Sequence, residues 1–408
     1  MRIGIFSDTY IPQINGVSTS IEMLKRSLEK KGHQVFIVTI NNSTMKYVYE
    51  DKLIRIPGVP VGIFDYRLTS IYPARAIKTI KNWNLDVIHS QTEFGIGSFA
   101  RILGKQFNIP VVHTYHTSYE EIVDYVTKGF FENSSKKAAE YFAKFYCDKT
   151  VSELIVPTKK TYDLFKDKYK VKRNIYIVPT GVEIERYNPN KFNKNTILKL
   201  KEKIGLKQND VILLYVGRLG YEKNIQYLIN NHANIVKKNP NCKLVIVGDG
   251  PEKEKLMKLV TKNKITNNVI FTGKVSLEEV GLYYQLGDIF VTASLAETQG
   301  LTVLEALAAY LPCVVIKDDS YKDAIIDGIN GFMFKNKKNY IDIINDLVSN
   351  KEKRLFMANE AGASSLNHSA SVFGDRVLKV YRLAIGEKNV PKNFLDKIMT
   401  IIKDGFHN

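Results

Sequence analysis

The stretch "VILLYVGRLGYEKN", Val211 to Asn224, contains the repeating unit that decides the fold. Its apolar, β-branched run ends at a glycine, and two cations, Arg218 and Lys223, precede a helical pattern. Comparable runs recur along the chain, and they are RIGIF, HQVFIVTI, LDVIHSQ, IPVVHTYH, ELIVPT, NIYIVPTG, KLVIVGDG, NVIFTGKV, DIFVTAS and CVVIK. Because helical segments separate several of these runs, their order predicts parallel sheets with helices on both faces.

The length of 408 residues exceeds the usual size of one domain, and a polar stretch indicates the boundary. Residues 182–205 carry Pro189 and lack strand periodicity, so we predict a linker there. The predicted fold class is α/β, with two doubly wound domains in tandem and a cleft between them. We place the domains at residues 1–185 and 196–370, and we expect the C-terminal helices, residues 371–408, to pack back on the first domain.

Composition excludes several classes of protein. The three cysteines, Cys147, Cys242 and Cys313, are widely separated, which fits a reduced, cytosolic protein without a disulfide framework or a zinc site. The N-terminus does not read as a signal peptide, and no apolar run is long enough to span a bilayer. The net charge of +17 is compatible with nucleic acid, an anionic membrane surface or phosphorylated small molecules, or with a generally lysine-rich composition. No RNA-binding motif occurs, which disfavours specific nucleic-acid recognition.

Polar and glycine residues follow the predicted strands, where ligands bind in open α/β sheets. These candidates are Gly16, His116, Arg218, Asp249 and Glu297. Arg218 and Lys223, beside the start of a helix, suit a diphosphate, although two solvated surface charges are the alternative. The turn "VGDGPE" is weak evidence for a ligand, and the chain has neither a GxGxxG nor a P-loop motif, which disfavours a dinucleotide dehydrogenase or a P-loop NTPase.

The stretch "ETQGLTVLEALA", Glu297 to Ala308, holds two carboxylates eight positions apart. A catalytic acid pair, a metal site, a grip on ligand hydroxyls, and a helix cap with an exposed glutamate are all compatible with that spacing. The chain contains no DxD and no HxxxH or HExxH, so we expect no dedicated metal site and no permanently bound cofactor. Glycine-flanked N–H groups and nearby cations favour a bound diphosphate over a hydrolytic acid pair.

The segment 66–85 predicts a basic amphipathic helix. Arg75, Lys78 and Lys81 are three residues apart, and Trp83, the only tryptophan, stands at its end. A cationic face with an aromatic anchor is typical of a helix that binds an anionic membrane interface. A helix packed on the sheet with a solvated basic face is the alternative.

The chain resembles the retaining glycosyltransferases of family 4, which have the GT-B fold of two facing Rossmann-like domains. The resemblance rests on the E-x7-E signature of Glu297 and Glu305, together with the GR-x4-K motif of Arg218 and Lys223. The stretches "HTSYEEIVDYV" and "ETQGLTVLEALAA" look like those of the bacterial diacylglycerol glucosyltransferases. Where most other relatives have a Phe-Gly pair, this chain has Gln299 and Gly300.

The resemblance implies a role for each matching position. Arg218 and Lys223 hold the donor diphosphate, Glu305 accepts from the ribose hydroxyls, and Glu297 accepts from hydroxyls of the transferred sugar. The other implied contacts are Gly16 at the diphosphate, His116 beside the transferred sugar, Asp249 and Val275 near the base, and the backbone of Gly300, Leu301 and Thr302 along the sugar and phosphate.

The implied reaction transfers glucose from UDP-glucose to 1,2-diacylglycerol with retention, by a protein bound peripherally to the inner face of the cell membrane. Three alternatives remain open at this point. In the first, the acceptor is a soluble molecule or a polysaccharide precursor. In the second, the donor is UDP-galactose. In the third, the chain is a non-catalytic protein that binds nucleic acid or other anions.

Overall fold

The computed structural model describes residues 1–13, 15–60, 67–116, 140–141, 144–295 and 297–389. The chain divides into two compact units, one formed by residues 1–179 and 373–408 and the other by residues 180–372. Most of the quoted stretch "HTSYEEIVDYV" and the predicted C-terminal helix beyond residue 389 lie outside the described residues.

The first unit alternates strands and helices as the sequence predicts. Its strands are β1 Arg2–Phe6, β2 Gln34–Asn41, β3 Val48–Glu50, β4 Leu53–Pro57, β5 Val59–Pro60, β6 Arg67–Leu68, β7 Val87–Ser90, β8 Val111–Thr114, β9 Glu153–Val156 and β10 Ile175–Ile177. Its described α-helices before residue 180 are α1 Gly16–Lys30, α2 Ala74–Asn82, α3 Gly95–Phe107 and α4 Lys159–Asp163, with π-helical turns at Phe145–Lys149 and Leu164–Lys168.

Eight of these strands form one sheet in the order β10-β9-β8-β7-β1-β2-β4-β3, and only the β3–β4 pairing is antiparallel. The strands β5 and β6 pair antiparallel as a separate two-stranded sheet. Side chains of β1 enter two different apolar clusters, because successive residues of a strand point to opposite faces. Ile3 and Ile5 pack on one face, whereas Phe6 packs on the other. The sheet is therefore covered on both sides.

The second unit repeats the pattern with a six-stranded, fully parallel sheet in the order β13-β12-β11-β14-β15-β16. Its strands are β11 Val211–Val216, β12 Cys242–Val247, β13 Val269–Gly273, β14 Ile289–Thr292, β15 Cys313–Ile316 and β16 Gly331–Phe334. Its described α-helices are α5 Ile184–Tyr187, α6 Lys194–Lys203, α7 Ile225–Lys238, α8 Lys253–Lys262, α9 Val280–Tyr284, α10 Leu301–Ala308, α11 Lys337–Ser349 and α12 Lys351–Ser365. Five short 3-10 turns are Pro189–Lys191, Tyr221–Lys223, Thr266–Asn268, Asp319–Tyr321 and Leu366–His368.

The last described helix, α13 Ala370–Asn389, begins in the second unit and continues into the first. Phe373, Val377 and Tyr381 enter the apolar cluster of the first unit that also holds Ile3 and Ile5. This helix supplies one of the layers on that sheet.

The linker predicted at residues 182–205 is wrong. These residues form α5, a 3-10 turn and α6, and they belong to the second unit. Tyr187 and Leu200 are buried, so the stretch contributes apolar side chains although its composition is polar. Helical periodicity over such short segments is too weak to be recognised in a polar stretch.

Candidate functional site

The turns after β11 and β12 pack directly on each other. The N–H of Gly217 donates to the carbonyl of Val247 at 3.0 Å, and the N–H of Leu219 donates to the carbonyl of Asp249 at 2.9 Å. A Cβ atom at Gly248 would lie 1.9 Å from the carbonyl oxygen of Gly217, so only glycine fits there. The glycine turn "VGDGPE" is thus explained by backbone packing, and it also brings Asp249 beside the cationic turn.

Both cations of this turn face carboxylates. Lys223 Nζ lies 2.6 Å from Glu297 Oε1, and both side chains are mostly buried. The guanidinium of Arg218, which is about half exposed at 48%, pairs with Glu222, a residue for which the sequence suggested no role. The structure therefore brings three predicted site residues, Arg218, Lys223 and Glu297, to one edge of the sheet.

Helix α10 begins at this edge from a glycine with positive φ. Gly300 has φ +74°, and a Cβ atom there would lie 2.5 Å from the ring of Tyr321. No side chain caps the helix, and Leu301 and Thr302 are partly exposed. An uncapped helix start offers N–H donors and a positive partial charge, which suits an anion.

The side chain of Gln299 holds this loop in place. Its Oε1 accepts from the N–H of Thr180 at 2.8 Å, and its Nε2 donates to the carbonyl of Thr180 at 2.8 Å. Both residues are buried. The resemblance marked Gln299 as a departure from the phenylalanine of most family members outside this branch, but its distant partner could not be inferred.

The carboxylate of Glu305 lies one turn into α10 and accepts from tyrosine hydroxyls. The hydroxyl of Tyr284 donates to Glu305 Oε2 at 2.7 Å, and Tyr187 donates a second hydrogen bond. Burial raises the pKa of Glu305, although both tyrosines and Arg186 act in the opposite direction. The two tyrosines are far away in sequence, and no motif pointed to them.

The two positions predicted near a nucleotide base follow neighbouring strands. Asp249 is exposed, its Oδ2 pairs with Lys253 Nζ at 2.8 Å, and its Oδ1 accepts from the N–H of Gly250. The Lys253 ammonium lowers the pKa of Asp249. Val275, just after β13, is partly buried against the core. Their roles remain predictions.

In the first unit, Gly16 is the exposed first residue of α1. Asn15 caps this helix through its side chain, which accepts from the N–H of Ser18, and the first turn carries no acidic residue. A glycine at the start of a long helix gives a ligand close access to backbone N–H groups.

His116 follows β8 and lies beside the residues that follow β7. Its Nε2 is 2.5 Å from Gln91 Oε1, and burial lowers the pKa of His116 to about 4. The ring is therefore neutral at physiological pH. Gln91 had no predicted role, although its position at the end of the run LDVIHSQ could have drawn attention to it.

Helix α2 presents the predicted basic face. Arg75, Lys78 and Lys81 are exposed, whereas Ala76 and Ile80 are buried against the core of the first unit. Ile71 and Tyr72, which precede this helix in the chain, are exposed apolar side chains, and so are Val59 and Leu68 of the paired strands β5 and β6.

The prediction of Trp83 as a membrane anchor is wrong. Its side chain is only 6% exposed, and its ring stacks on Phe36 at a centroid distance of 4.9 Å. Trp83 stands one residue after α2, where the chain turns back towards the sheet, and its indole fills the space between that helix and β2. Burial inside the core leaves no apolar surface for lipid.

The described residues contain neither a metal-binding cluster nor a membrane-spanning helix. No group of three or more His, Cys, Asp or Glu side chains is placed to hold a metal ion. Among the helices that the structure describes, none is both long and apolar enough to cross a membrane.

The chain matches two families of known proteins. The family described as Glycosyl transferases group 1 matches residues 196–363, and Glycosyltransferase Family 4 matches residues 14–186. The chain is 35% identical over 395 residues to an alpha-monoglucosyldiacylglycerol synthase from Streptococcus pneumoniae, covering 96% of this chain and 88% of that protein. It is 34% identical to a protein of the same name from Acholeplasma laidlawii, covering 96% of this chain and all of that protein.

Solved structures give the same result for the fold. A sucrose-phosphate synthase from Thermosynechococcus elongatus matches with a TM-score of 0.73 at 16% identity, covering 94% of this chain and 99% of that one. HepE from Anabaena, solved in complex with UDP-glucose, matches with a TM-score of 0.71 at 17% identity, covering 93% of this chain and 98% of that one. These likenesses confirm the GT-B fold class predicted from the sequence.

Proposed function

Since the chain belongs to the family 4 glycosyltransferases and is a hexosyltransferase, we propose that it transfers glucose from UDP-glucose to 1,2-diacylglycerol with retention. The C1–oxygen bond to the diphosphate breaks, and C1 bonds to the free hydroxyl oxygen of diacylglycerol. UDP leaves with the electron pair, and the hydroxyl proton passes to the leaving phosphate. The product is an α-glucosyl-diacylglycerol.

The ion pair of Lys223 with Glu297, 2.6 Å long, is the observation that supports this proposal most. A lysine ammonium beside a guanidinium and an uncapped helix start can neutralise a diphosphate as charge develops on it. The Lys223 ammonium is already held in place by Glu297, so little reorganisation is needed when the donor arrives. Glu297 then accepts from hydroxyls of the transferred sugar.

We propose the remaining donor contacts from the family resemblance. Glu305 keeps lone pairs for the ribose hydroxyls, because a carboxylate can accept about four hydrogen bonds. Gly16 approaches the diphosphate, and His116 lies beside the sugar. The backbone of Gly300, Leu301 and Thr302 lines the sugar and phosphate, and Asp249 and Val275 lie near the base. No step requires a metal ion in this scheme, because the cations carry the charge.

The acceptor assignment rests on the printed names of the two relatives and on the surface around α2. The exposed cations of that helix follow the exposed apolar residues Ile71 and Tyr72 in the chain, a combination that favours an anionic membrane interface. We therefore propose peripheral binding to the membrane that contains diacylglycerol.

The test is transfer from a panel of UDP-sugars to vesicles that contain diacylglycerol. We expect glucosyl-diacylglycerol with an α-linkage from UDP-glucose, identified by mass spectrometry and by NMR of the anomeric proton. A product formed only with a soluble acceptor would overturn the assignment of diacylglycerol as the acceptor. A product formed only from UDP-galactose would overturn the assignment of glucose as the transferred sugar. A β-linked product would exclude retention.

Removing two charges of α2 is expected to weaken membrane binding selectively. Each cation near an anionic surface contributes about 1 kcal/mol, so Lys78→Gln with Lys81→Gln should lower partition into phosphatidylglycerol vesicles roughly 30-fold. Co-sedimentation measures the partition. Lys258→Gln with Lys262→Gln, two exposed lysines of α8, is the matched control because it changes the net charge equally. If both double variants lost the same amount of vesicle partition, only the total charge of the protein would matter.

A further inference from the structure

Gln91 makes the contact that determines the chemical state of His116. Gln91 follows β7, its side chain is 3% exposed, and its N–H donates to the carbonyl of Phe6 at 2.8 Å. Its amide oxygen lies 2.5 Å from His116 Nε2. The side chain is therefore held by its own backbone and by burial, so it can hold the imidazole in turn.

An amide oxygen accepts hydrogen bonds and cannot donate them. His116 Nε2 must therefore carry the proton in this contact. Burial, the largest effect, lowers the pKa of His116 to about 4, so the ring has only that one proton near neutral pH. Nδ1 is then the unprotonated nitrogen and the acceptor atom of the ring.

The amide group of Gln91 is oriented by a second histidine. Gln91 Nε2 lies 3.1 Å from both ring nitrogens of His89. Equal distances to both ring nitrogens place the amide nitrogen over the face of the imidazole, where its N–H meets the π electrons and an amide oxygen would be repelled. The hydroxyls of Tyr381 and Thr114 lie 2.7 Å from the two nitrogens and fix the ring of His89. The amide nitrogen therefore faces His89, and the oxygen faces His116.

A buried acid–base pair completes the surroundings. His113 Nδ1 lies 2.9 Å from the carbonyl oxygen of Ser90, and its Nε2 lies 2.9 Å from Glu93 Oε1. The Ser90 carbonyl requires a proton on His113 Nδ1, and one further proton must lie between His113 Nε2 and Glu93. That proton sits on the imidazole, which gives an ion pair, or on the carboxyl, which gives two neutral groups. Their effects on the pKa of His116 oppose each other, since Glu93 raises it and His113 lowers it.

The geometry points to Gln91 as a positioning residue that fixes His116 in the neutral tautomer with its proton on Nε2, so that Nδ1 accepts. Its importance for transfer rests on the proposed function, in which His116 lies beside the sugar. A single tautomer presents a fixed acceptor to a hydroxyl, whereas a mixture presents a donor part of the time.

The tautomer can be measured without any substrate. In protein labelled with 15N-histidine, long-range 1H–15N spectra distinguish protonated from unprotonated ring nitrogens, and His116→Gln identifies the resonances among the seven histidines. We expect protonated Nε2 and unprotonated Nδ1 from about pH 6 to pH 8. A protonated Nδ1, or an average of two tautomers, in the native chain would overturn the assignment.

Variants of Gln91 separate this role from a merely structural one. Gln91→Met should give a tautomer mixture and lower kcat about tenfold, with a smaller change in the KM for UDP-glucose, because the acceptor geometry is lost. Gln91→Glu keeps an acceptor oxygen, so at about pH 8 it should restore the single tautomer. Gln34→Met, at an exposed glutamine of the same sheet, is the control.

Two outcomes of the variant series decide the inference. An unchanged tautomer in folded Gln91→Met would refute it, and so would a mixture in folded Gln91→Glu. If a variant does not fold, the 15N spectrum of the native chain still decides which ring nitrogen of His116 carries the proton. If the native chain transfers no glucose to diacylglycerol, the proposed function fails, while the NMR result stands by itself.

Discussion

Lys223→Ala is expected to lower glucosyl transfer by about two to three orders of magnitude. Removing one group that stabilises developing charge typically costs about 2.7–4 kcal/mol of transition-state stabilisation. Lys223 is mostly buried and fixed by Glu297, so water and neighbouring lysines cannot replace its ammonium. The loss should fall mainly on kcat, because the diphosphate acquires charge as the bond breaks.

Steady-state kinetics with UDP-glucose and diacylglycerol vesicles measure this effect. Lys353→Ala is the control, since Lys353 also pairs with a carboxylate, Asp346 at 2.7 Å, but belongs to the outer helices of the same unit. Lys223→Arg should recover part of the activity. Full activity in Lys223→Ala would remove the cation from the mechanism. The non-catalytic, anion-binding alternative would be favoured if the native chain bound nucleic acid but had no transferase activity, and if Lys223→Ala lost that binding.

The repeating strand–helix pattern was sufficient to predict the fold class. Strands buried on both faces, such as VILLYV, give uninterrupted apolar runs that stand out in the sequence. The edge strands β3 and β16, with the sequences VYE and GFMF, were missed because runs of three or four residues are too short to show strand periodicity. The helices at residues 184–203 were missed for the same reason.

The candidate site could be predicted where one strand end or one motif carries it. Arg218, Lys223 and Glu297 were inferred in this way, and the structure brings the last two into contact. Partners that lie far away in sequence, such as Thr180 for Gln299, leave no local signal. Trp83 failed for a different reason. Helical spacing shows which residues share a face, but a residue beyond the helix end can turn inward.

Arg218 and Lys223, the two cations of the turn after β11, are not equivalent in this structure. Lys223 pairs with a residue that has its own ligand role in our proposal, whereas Arg218 pairs with Glu222, which has none. A diphosphate must compete with Glu222 for the guanidinium, while Glu297 can keep its contact with Lys223 and still accept from the sugar. This difference is why we expect the larger loss from Lys223.

Glu305→Gln is expected to weaken binding of UDP-glucose about 100-fold and to change kcat much less. A hydrogen bond to a charged group contributes about 1.5–3 kcal/mol, and the ribose hydroxyls make theirs equally before and during the reaction. Calorimetric titration of UDP and steady-state kinetics separate the two quantities. A large fall in kcat with unchanged UDP affinity would instead assign Glu305 to the chemical step.

The same variant should not be less stable than the native chain. The pKa of Glu305 is raised in the fold, so its ionised form is disfavoured there and costs stability at neutral pH. Glutamine removes that cost and still accepts from Tyr284. The native chain recovers the difference as the pH falls through the raised pKa, so the two unfolding midpoints should converge below about pH 4.5.

Glu22→Gln provides the opposite case within the same chain. Glu22 also accepts from a tyrosine hydroxyl, that of Tyr10 at 2.7 Å, and its Oε1 pairs with Arg26. Burial alone would raise the pKa of Glu22, but these partners outweigh burial and lower it. Its ionised form therefore stabilises the fold at neutral pH, and this contribution is lost as the pH falls through the lowered pKa.

Glu22→Gln should lower the unfolding midpoint at pH 7 and leave UDP affinity unchanged. Glu305→Gln should instead weaken UDP binding without lowering the unfolding midpoint. Equal destabilisation by both substitutions would show that the carboxylate of Glu305 is held for the fold and not for the donor.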